Sequence, residues 1–561
     1  MIQQYGGDNP MNANMNQEGT EETRDYDALS QNIAAGKAVA NAIRTTLGPQ
    51  GMDKMLVDSI GDVVITNDGL TILEEMEIEH PAAKMMVEIA KTQDKEAGDG
   101  TTTAVILAGE LLNMAEDLID QDLHPTSIVE GYHMARKRAE EILSEISFEV
   151  SLDDTQLLKN IAQTAMTGKG AETVKEELSS LIVEAVEMSA DDQGRVDAGD
   201  IKIEKMVGGS AEDSMIIRGI VIDKERLHPS MPDTVPDAKI LLLNAAIEFK
   251  AIETEAEISI THPDQIQHFV EKEEEIQKAL VDRIVGSGAN VVFCQKGIDE
   301  FAEHHLTKAG ILAVRRLKKS DMEKLSEMTG ATIISSPDAI SGDDLGFAGK
   351  VEVQRLSGTD MIVVSESKRQ EAVSLLIKGG SAHTVDETIR AVEDGILGVC
   401  VALEDNRFVA GGGASEIELS RRLRKFGSDV GGRAQLAIEA YADAFLAVPR
   451  TLAENAGLDQ IDMLALLRVA HEQDGRTNGL DLETSTPIDM KEAGVIEPLR
   501  VKMQAISSAT EAATMILRID EIIAASGAGG MPSEEEMAAM QAMGGMGGGM
   551  PGGMGGMPGM M

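Results

Sequence analysis

The sequence has no tryptophan and only 4 tyrosines and 9 phenylalanines among its 561 residues. It is also short of cations, because 50 Lys and Arg face 96 Asp and Glu and leave a formal net charge of −46. A chain this acidic repels phosphate backbones, which argues against a nucleic-acid partner. The hydrophobic fraction is still 42%, so at roughly 100–200 residues per domain the chain can bury the cores of about three domains.

Cysteines and long apolar runs are scarce too. Cys294 and Cys400 are the two cysteines, and each stands within an apolar run. That pattern is typical of small buried side chains in a reducing compartment rather than of a disulfide. No run approaches about 18 apolar residues, and the first residues lack the basic start and apolar stretch of a signal peptide. These absences predict a cytoplasmic protein without a membrane partner.

The surplus of carboxylates has two interpretations. It can be an acidic surface that steers or repels partners, or a carboxylate coat suited to high salt, where screening confines charge repulsion to a short range. The acidic residues are spread along the whole chain rather than gathered in blocks. This distribution favours the salt-adapted coat and a halophilic source.

Both ends of the chain have low complexity. Residues 1–24 are rich in Asn, Gln, Gly and Glu and predict a disordered N-terminal segment. Residues 527–561 predict a flexible Gly/Met-rich tail, whose last 18 residues contain 10 Gly, 6 Met and 2 Pro. That tail is either a linker-like remnant or a mobile segment whose methionines make weak apolar contacts.

Helical periodicity dominates the two outer parts of the remaining chain. In Ala28–Thr46, apolar and small residues recur at steps of three and four, which predicts an amphipathic helix that a partner helix can approach closely. Similar patterns predict helices at Thr102–Asp120, Leu123–Glu145, Leu157–Met166, Glu172–Met188, Thr384–Leu403, Gly413–Phe426, Arg433–Ala456, Ile461–Glu472 and Leu499–Ala525.

The middle of the chain has a different pattern. Short β-rich runs predict strands at Ile216–Asp223, Lys239–Leu243, Asn290–Cys294, Ile311–Val314 and Gly349–Leu356. A helix over Gly297–Ala309 would join two of these strands as a parallel strand–helix–strand unit. Three prolines predict an irregular Leu227–Pro236. The predicted fold class is therefore multidomain α+β, with helical ends nested around an α/β centre.

The strongest motif is Gly98–Thr103 (GDGTTT), at the start of a predicted helix. Glycines let the backbone approach a ligand, and the free N–H groups of a helix N-terminus form an anion site. A carboxylate in that loop would repel bare phosphate, so Asp99 suits a Mg²⁺ ion held between itself and phosphate oxygens. Ordinary helix capping by Asp and Thr is the alternative.

Further segments carry glycine turns or carboxylates. Thr46–Pro49 (TLGP) is typical of a helix C-terminus, and Asn67–Gly69 (NDG) is typical of a tight turn. Asp394 lies in a predicted helix that leads to Val409–Gly413, whose glycines permit close approach of a ligand. No Walker A loop, zinc-spaced cysteine pair, His-Glu-x-x-His or Gly-x-Ser-x-Gly motif occurs.

Together these segments resemble the signatures of the chaperonin family, in the family's order over about residues 25–525. The matching segments are Thr46–Pro49 with Gly51–Asp58 (GMDKMLVD), Asn67–Gly69, Gly98–Val105 and Ala410–Ala414. Asp223-Lys224 and His228-Pro229, followed by an insertion around Ile247–Glu275, resemble the built-in lid protrusion of group II chaperonins, the archaeal thermosome type. The resemblance thus covers most of the chain.

The resemblance implies a division into three domains. A helical equatorial ATP-binding domain would come from residues 25–152 and 406–526. A small α/β intermediate domain, crossed twice by the chain, would come from residues 153–222 and 374–405. An α/β apical substrate-binding domain would span residues 223–373, with the lid protrusion at about 245–277.

The resemblance also implies the roles of single residues. Asp394 matches the general base, Asp68 the carboxylate that orients the attacking water, and Asp99 the Mg²⁺ ligand. The implied nucleotide contacts are Thr46, Leu47, Gly48, Pro49, Asn67, Gly100, Thr101, Thr102, Thr103, Lys169, Gly412, Asn478, Gly479 and Glu497. Among them Lys169 matches a lysine that senses the γ-phosphate, Glu497 falls at the ribose, and Asn478 and Gly479 fall near the base.

The implied activity is ATP hydrolysis that closes a double-ring chamber around a non-native protein. ATP and Mg²⁺ are the implied cofactors, with K⁺ as a candidate second cation. The implied partners are non-native proteins and copies or paralogues of the subunit, without a separate cap protein. Departures from the family pattern are Gln50, Leu70 and the stretch Asp481–Ile488.

Two other functions compete with this one. A nucleotide-binding ring or filament scaffold would bind ATP without obligatory folding activity, although the retained Asp68, Asp99 and Asp394 argue against it. A small-molecule kinase would need an acceptor pocket, and no further catalytic cluster is apparent in the sequence of the α/β centre.

Overall fold

The structure is a computed structural model that describes most of the chain. The described residues are 20–59, 61, 63–191, 194–248, 275, 278–356, 358–367 and 372–525. Most of the predicted N-terminal segment, most of the predicted lid protrusion and the whole Gly/Met-rich tail lie outside them.

The chain divides into two compact units. Of the described residues, the smaller unit takes 20–31 and 519–525, and there strand Thr20–Arg24 pairs antiparallel with strand Glu521–Ala525. The prediction of a helix over Leu499–Ala525 is therefore wrong at its C-terminal end. Pairing between the two ends of the chain is a tertiary event that local periodicity does not report.

The larger unit, Asn32–Arg518, contains nearly all of the helices. In chain order the helices are α1 (Asp25–Arg44), α2 (Gly69–Glu75), α3 (Pro81–Ala97), α4 (Thr101–Ile119), α5 (Pro125–Ile146), α6 (Thr155–Met166), α7 (Lys175–Ser189), α8 (278–287), α9 (Glu300–Lys308), α10 (Lys319–Thr329), α11 (Ala382–Asp405), α12 (Ala414–Val430), α13 (Gly432–Ala444), α14 (Ala447–Asn455), α15 (Gln460–Glu472) and α16 (Leu499–Leu517). Across the described residues, none of these helices combines the length and apolarity needed to cross a bilayer.

The strands are mostly short. In chain order they are β1 (Thr20–Arg24), β2 (Lys54–Val57), β3 (Val63–Thr66), β4 (Phe148–Glu149), β5 (Ile201–Val207), β6 (Met215–Arg218), β7 (Ile220–Ile222), β8 (Thr234–Leu243), β9 (Val291–Cys294), β10 (Leu312–Val314), β11 (Ile333–Ile334), β12 (Gly346–Leu356), β13 (Thr359–Ser367), β14 (Val373–Gly379), β15 (Arg407–Ala410), β16 (Asn478–Asp481), β17 (Thr486–Asp489), β18 (Ile496–Pro498) and β19 (Glu521–Ala525). With the helices, they confirm the predicted α+β class.

The central strands form one mixed sheet in the order β10–β9–β8–β12–β13–β7, with β11 beside β8. Strands β8, β9 and β10 are parallel, and helix α9 connects β9 to β10, which confirms the predicted strand–helix–strand unit. All residues of β9 and β10 are buried, as expected of parallel strands covered on both faces. Smaller sheets have the orders β5–β14–β6 and β18–β15–β4. Both cysteines are buried and free, as predicted.

One buried apolar cluster joins parts of the chain that are far apart in sequence. It combines side chains of α6, α7 and β5 with side chains of β14 and α11. Helix α11, which carries Asp394, is therefore packed against α6, and the loop with Lys169 begins where α6 ends. This packing brings two of the predicted site residues into one neighbourhood.

The predicted strand Ile216–Asp223 is two strands in different sheets. Gly219 has a φ of 119°, and a Cβ at this position would overlap the carbonyl oxygen of Val364. Before Gly219 the chain pairs with β14, and after it the chain pairs with β13. A left-handed glycine thus directs the chain from one sheet into another.

Two further predictions need correction. Arg433–Ala456 is two helices, because the ring of Pro449 would clash with the carbonyl of Phe445 in a continuous helix. Leu227–Pro236 is irregular only in part, since strand β8 already begins at Thr234. Pro236 is tolerated there because β9 pairs with β8 only from Ile240 onward.

Periodicity predicted neither the short helix α2 nor the 17-residue helix α3. The carboxylate of Asp68 caps α2 by accepting the N–H of Thr71 at 2.7 Å, and the ring of His80 caps α3 by accepting the N–H of Ala82 at 3.2 Å. Asn67–Gly69 is therefore the junction between β3 and α2 rather than a tight hairpin turn. The hairpin lies just before it, where β2 pairs with β3.

Helices α1 and α4 approach each other closely, which confirms the role predicted for small residues in α1. A Cβ on Gly109 of α4 would overlap the Cβ of Ala40, and a Cβ on Gly36 would lie 2.5 Å from Cδ1 of Leu112. Both glycines are thus required by packing. Since α4 opens with the GDGTTT loop, this contact also holds the position of that loop.

We expect Gly109→Ala to destabilise the chain by about 1–3 kcal/mol, because the added methyl group overpacks the contact between α1 and α4. The matched control is Gly286→Ala in helix α8, where a Cβ meets no atom within 4 Å. The control should be neutral or stabilising by up to about 1 kcal/mol. Chemical denaturation of both variants measures the difference, and equal effects would contradict the packing role of Gly109.

Candidate functional site

Lys169 connects two of the predicted site carboxylates. Its Nζ donates to Oδ2 of Asp394 at 2.7 Å and to Oδ1 of Asp99 at 2.9 Å. The lysine stands in a short loop after α6, between Gly168 and Gly170, both with left-handed φ. Asp99 follows α3 and Asp394 lies in the middle of α11, so one ammonium group holds three separate segments together.

These charges are poorly solvated. The side chains of Lys169, Asp99 and Asp394 are 18%, 23% and 16% exposed. Burial raises the pKa of Asp394 to about 8 despite the opposing effect of Lys169. Burial by itself would lower the pKa of Lys169, but Asp394 and Asp99 together raise it above its usual range. The single ammonium therefore stays charged, and it cannot fully neutralise both carboxylates.

Asp68 lies close enough to add to this negative potential. Oδ2 of Asp68 accepts both cap bonds, from the N–H of Thr71 and from its hydroxyl at 2.8 Å, so the carboxylate is held in one orientation. Burial, followed by repulsion from Asp68, raises the pKa of Asp94 to about 6. The carboxylates of Asp68, Asp94, Asp99 and Asp394 thus share one acidic neighbourhood, with Lys169 among them.

The GDGTTT loop opens helix α4 as predicted. Gly98 and Gly100 have φ values of 70° and 79°, and Gly100 takes the N-cap position without a side-chain cap. The first N–H groups of the helix, on Thr101–Thr103, therefore have no intrahelical partner and point out of its N-terminus. Gly69 packs against this turn, since a Cβ on it would lie 2.5 Å from Oγ1 of Thr102.

The predicted contacts around Thr46–Pro49 lie beside the lysine loop. Gly48 has a φ of 82°, and the amide of Asn455 holds the turn by donating to the carbonyl of Leu47 at 2.9 Å. A Cβ on Gly168 would lie 2.7 Å from the carbonyl oxygen of Gly48. The amide of Asn67 donates to the carbonyl of Gly168. Thr46–Pro49 and Asn67 are thus brought together with Lys169.

The remaining predicted residues form a second group around the glycine triplet Gly411–Gly413. The N–H of Leu480 donates to the carbonyl of Gly412 at 2.9 Å, and a Cβ on Gly479 would lie 2.6 Å from that oxygen. Buried His471 donates from Nε2 to the carbonyl of Asn478 at 2.7 Å. These contacts hold strand β16 against the glycine triplet, so Gly412, Asn478 and Gly479 lie side by side.

Glu497 links the two groups. A Cβ on Gly411 would lie 2.8 Å from Oε1 of Glu497. Burial raises the pKa of Glu497, although Lys502 opposes this from 2.8 Å, and the charge of Asp99 also contributes. Lys502 pairs in addition with Glu416 at 2.7 Å. The phosphate-type loop and the glycine triplet are therefore neighbours, and all of the predicted site residues fall into these two adjoining groups.

Several residues that shape this site were not identified from the sequence. Gln93 and Asp94 lie one turn before the loop, Leu397 packs its side chain 2.6 Å from where a Cβ of Gly98 would stand, and Lys502 balances Glu497. No motif distinguishes them in the sequence. The only local signal is that Gln93 and Asp94 lie within one to two helical turns of the GDGTTT motif.

The site fits a nucleotide-bound Mg²⁺ better than a metal held by protein alone. Among the described residues, no group of three His, Cys, Asp or Glu side chains is placed to hold a metal ion. A cation at Asp99 would thus need oxygen ligands from a phosphate and from water, as Mg²⁺ commonly has. The free N–H groups of α4 and the ammonium of Lys169 would favour that phosphate.

Comparisons with known proteins give a consistent result. Residues 39–527 match the model of the TCP-1/cpn60 chaperonin family. The chain is 58% identical to a thermosome subunit of Methanopyrus kandleri over 502 residues, which cover 89% of this chain and 92% of that one. It is 56% identical to a thermosome subunit of Methanocaldococcus jannaschii over 506 residues, with 90% and 93% covered.

A solved structure is also similar. It is the open-state monomer of a group II chaperonin from Methanococcoides burtonii, with a TM-score of 0.61 and 46% sequence identity. The match covers 75% of this chain and the whole of that one.

We expect Asp394→Asn to change the pH dependence of stability in the unliganded, metal-free protein. The folded chain binds a proton at Asp394 more tightly than the unfolded chain does, so this contribution to stability is present below about pH 4 and is lost as pH rises to about 8. Asparagine carries no such loss. The variant should therefore gain stability relative to wild type as pH rises, by on the order of 1–3 kcal/mol at pH 8.

The matched control is Asp386→Asn on the same helix. Asp386 also pairs with a lysine, Lys205 at 2.6 Å, but both side chains are more than 40% exposed. Chemical denaturation between pH 6 and 9 compares the three proteins. A stability difference for Asp394→Asn that is constant with pH would contradict the prediction.

Proposed function

This chain belongs to the TCP-1/cpn60 chaperonin family as a group II member, and we propose that it hydrolyses ATP to enclose and fold non-native proteins in a double-ring chamber. The ATPase and chaperone activities follow from the family. The observation that carries the proposal for this chain's own residues is the ammonium of Lys169 between Asp99 and Asp394.

The site has the parts that phosphoryl transfer to water requires. That reaction needs little covalent help from a protein, but it needs positioned charges and an oriented water. The N-terminus of α4, with Gly100–Thr103, would cradle the phosphates. The rest of the nucleotide would be enclosed by the turn at Thr46–Pro49, by Asn67 and by Gly412. Glu497 would lie at the ribose, and Asn478 and Gly479 near the base.

Asp99 would hold the Mg²⁺ ion. When bound, this ion neutralises charge on the phosphate oxygens. Lys169 would keep the Asp99 carboxylate in place from 2.9 Å and present the same ammonium to the γ-phosphate. The acidic surroundings of Asp68 and Asp94 also favour K⁺ as a second cation, since an uncompensated carboxylate attracts a counter-ion.

Asp394 and Asp68 would act on the water. A general base works best when its pKa lies near the working pH, and the pKa of Asp394 is raised to about 8. Both cap bonds of Asp68 use Oδ2, which leaves Oδ1 to orient the water by accepting a hydrogen bond from it. The two carboxylates come from different helices, so any motion of α11 against α2 would change their separation and the rate of hydrolysis.

The proposed domains account for how hydrolysis is coupled to closure. We assign residues 25–152 and 406–526 to the equatorial domain, 153–222 and 374–405 to the intermediate domain, and 223–373 to the apical domain. With these limits Asp99 is equatorial, whereas Asp394 and Lys169 are intermediate. The apical domain, with its lid protrusion at about 245–277, would then follow the intermediate domain when Lys169 moves between a carboxylate and a phosphate.

The proposed partners are non-native proteins and further chaperonin subunits, either copies of this chain or paralogues, in stacked rings. A built-in lid makes a separate cap protein unnecessary. The proposed location is the cytoplasm of a halophilic cell.

We expect Asp394→Ala to bind ATP but to hydrolyse it about 10²–10⁴-fold more slowly, since it loses the general base. Asp99→Ala should instead weaken the binding of Mg²⁺-ATP itself. Equilibrium nucleotide binding and single-turnover hydrolysis separate the two effects, and Asp386→Ala on the same helix is the control. Turnover by Asp394→Ala within a few-fold of wild type would refute the role of Asp394.

Refolding of a denatured client protein tests the function as a whole. With wild-type protein, the refolding yield should be higher with ATP than with a non-hydrolysable analogue. With the Asp394→Ala protein, the yield with either nucleotide should be as low as that of wild type with the analogue. Equal yields in all cases would favour a nucleotide-binding scaffold, which needs no turnover.

We expect the melting temperature of the protein to rise by at least about 5 °C between dilute buffer and molar KCl, because salt screens the repulsion among carboxylates at a net charge of −46. A neutral osmolyte at the same osmolarity is the control and should give a smaller rise. A melting temperature independent of KCl would contradict the salt-adapted coat.

A further inference from the structure

Asp99 lies in a segment whose backbone is intrinsically free to adopt several conformations. The glycines on both sides of it, Gly98 and Gly100, have left-handed φ values of 70° and 79°. Glycine has the largest backbone freedom of any residue, so a Gly-Asp-Gly segment does not by itself fix the direction of its central side chain. Something outside the segment must restrain it if Asp99 is to hold a cation in one place.

The side chain of Gln93 supplies that restraint. Gln93 lies in α3, is completely buried, and its Nε2 donates to the carbonyl of Asp99 at 2.7 Å and to the carbonyl of Val501 at 3.1 Å. Carbonyl oxygens only accept hydrogen bonds, so the orientation of the amide is fixed by its partners. One amide group thus connects the Gly-Asp-Gly segment to the first turn of α16.

The packing around this amide is equally tight. A Cβ on Gly100 would lie 2.8 Å from Cγ1 of Val501 and 3.2 Å from Nε2 of Gln93. The glycine at this position therefore lets the loop come close enough to Gln93 for the bond to form. Helix α16 also carries Lys502, the partner of Glu497, so the same amide relates the metal-binding end of the site to the proposed ribose end.

The oxygen of the Gln93 amide makes no contact comparable to those of its nitrogen. Its Oε1 is buried and makes no hydrogen bond to any described residue. Leaving a buried acceptor unpaired is unfavourable. The two hydrogen bonds that Nε2 donates are therefore what offsets the burial of this amide among the described residues.

We propose that Gln93 is a positioning residue for the metal-binding loop, which acts by holding the backbone of Asp99 so that its carboxylate faces Lys169 and the bound cation. This inference rests on the proposed role of Asp99 as the Mg²⁺ ligand. Outer partners that orient a metal ligand commonly contribute 10–100-fold to metal affinity or activity.

The test compares Gln93→Met, which keeps the volume and removes both donors, with wild-type protein. Without nucleotide or metal, hydrogen exchange of the amides in residues 98–103 should become at least about tenfold faster. The affinity for ATP should fall about 10–100-fold when measured with Mg²⁺ and should stay within about threefold when measured in EDTA.

Gln163→Met is the matched control. Gln163 also uses its amide as a donor, but it lies in α6 and donates to Oγ of Ser179 in α7 at 3.0 Å. It should change neither measurement. If Gln93→Met does not fold, Gln93→Leu replaces it, because it removes the same two donors and leaves the backbone at Gly100 unaltered.

An unchanged exchange rate in residues 98–103 would overturn the proposal, and so would an equal loss of affinity with and without Mg²⁺. Asp99→Asn keeps this result separate from the proposed function. If Asp99→Asn retains the Mg²⁺ dependence of binding, the assigned role of Asp99 fails. If it loses that dependence, Gln93→Met in the Asp99→Asn background should cause no further loss, and an additional loss would show that Gln93 acts independently of Asp99.

Discussion

The site depends on one buried ammonium group between two carboxylates. Lys169 reaches Asp99 and Asp394 at 2.9 and 2.7 Å in surroundings where water provides little screening. The attraction between opposite charges is strong there, and so is the cost of a carboxylate without a partner. Because one cation cannot satisfy both anions, ionising the second carboxyl group leaves excess negative charge, which a bound cation can neutralise. Burial, which Lys169 only partly offsets, raises the pKa of Asp394 to about 8.

That arrangement requires close control of three chain segments. The apolar cluster between α6, α7, β14 and α11 fixes the lysine loop relative to Asp394. The contact of α1 with α4 at Gly36 and Gly109 fixes the start of the GDGTTT loop, and Gln93 then fixes Asp99 within it. At Gly36, Gly100 and Gly109 an added Cβ would overlap a neighbouring side chain. The polar site is thus held by apolar packing a short distance away.

Much of this could be predicted from the sequence, because it depends on local chemistry. The helix that begins at Thr101 follows from the glycines before it and from the apolar periodicity after it, and the unit β9–α9–β10 follows from two apolar runs around a helical stretch. The candidate site residues followed from a resemblance between several separated motifs and one family. Local signals failed where a distant partner decides the outcome. Gly219 divides a continuous β-rich run because two sheets compete for it, and Glu521–Ala525 becomes a strand because residues 20–24 pair with it.

The amino-acid sequence by itself determined the acidity, the α+β class, the family and the identity of Asp68, Asp99 and Asp394 as candidates. Only the tertiary structure decided that Lys169 lies between two of them, that Asp68 also caps a helix, and that Gln93 holds the loop of Asp99. The physical reason is that periodicity and turn chemistry act between residues a few positions apart. A hydrogen bond between residues 70 or 225 positions apart exists only after helices have packed and water has left the space between them.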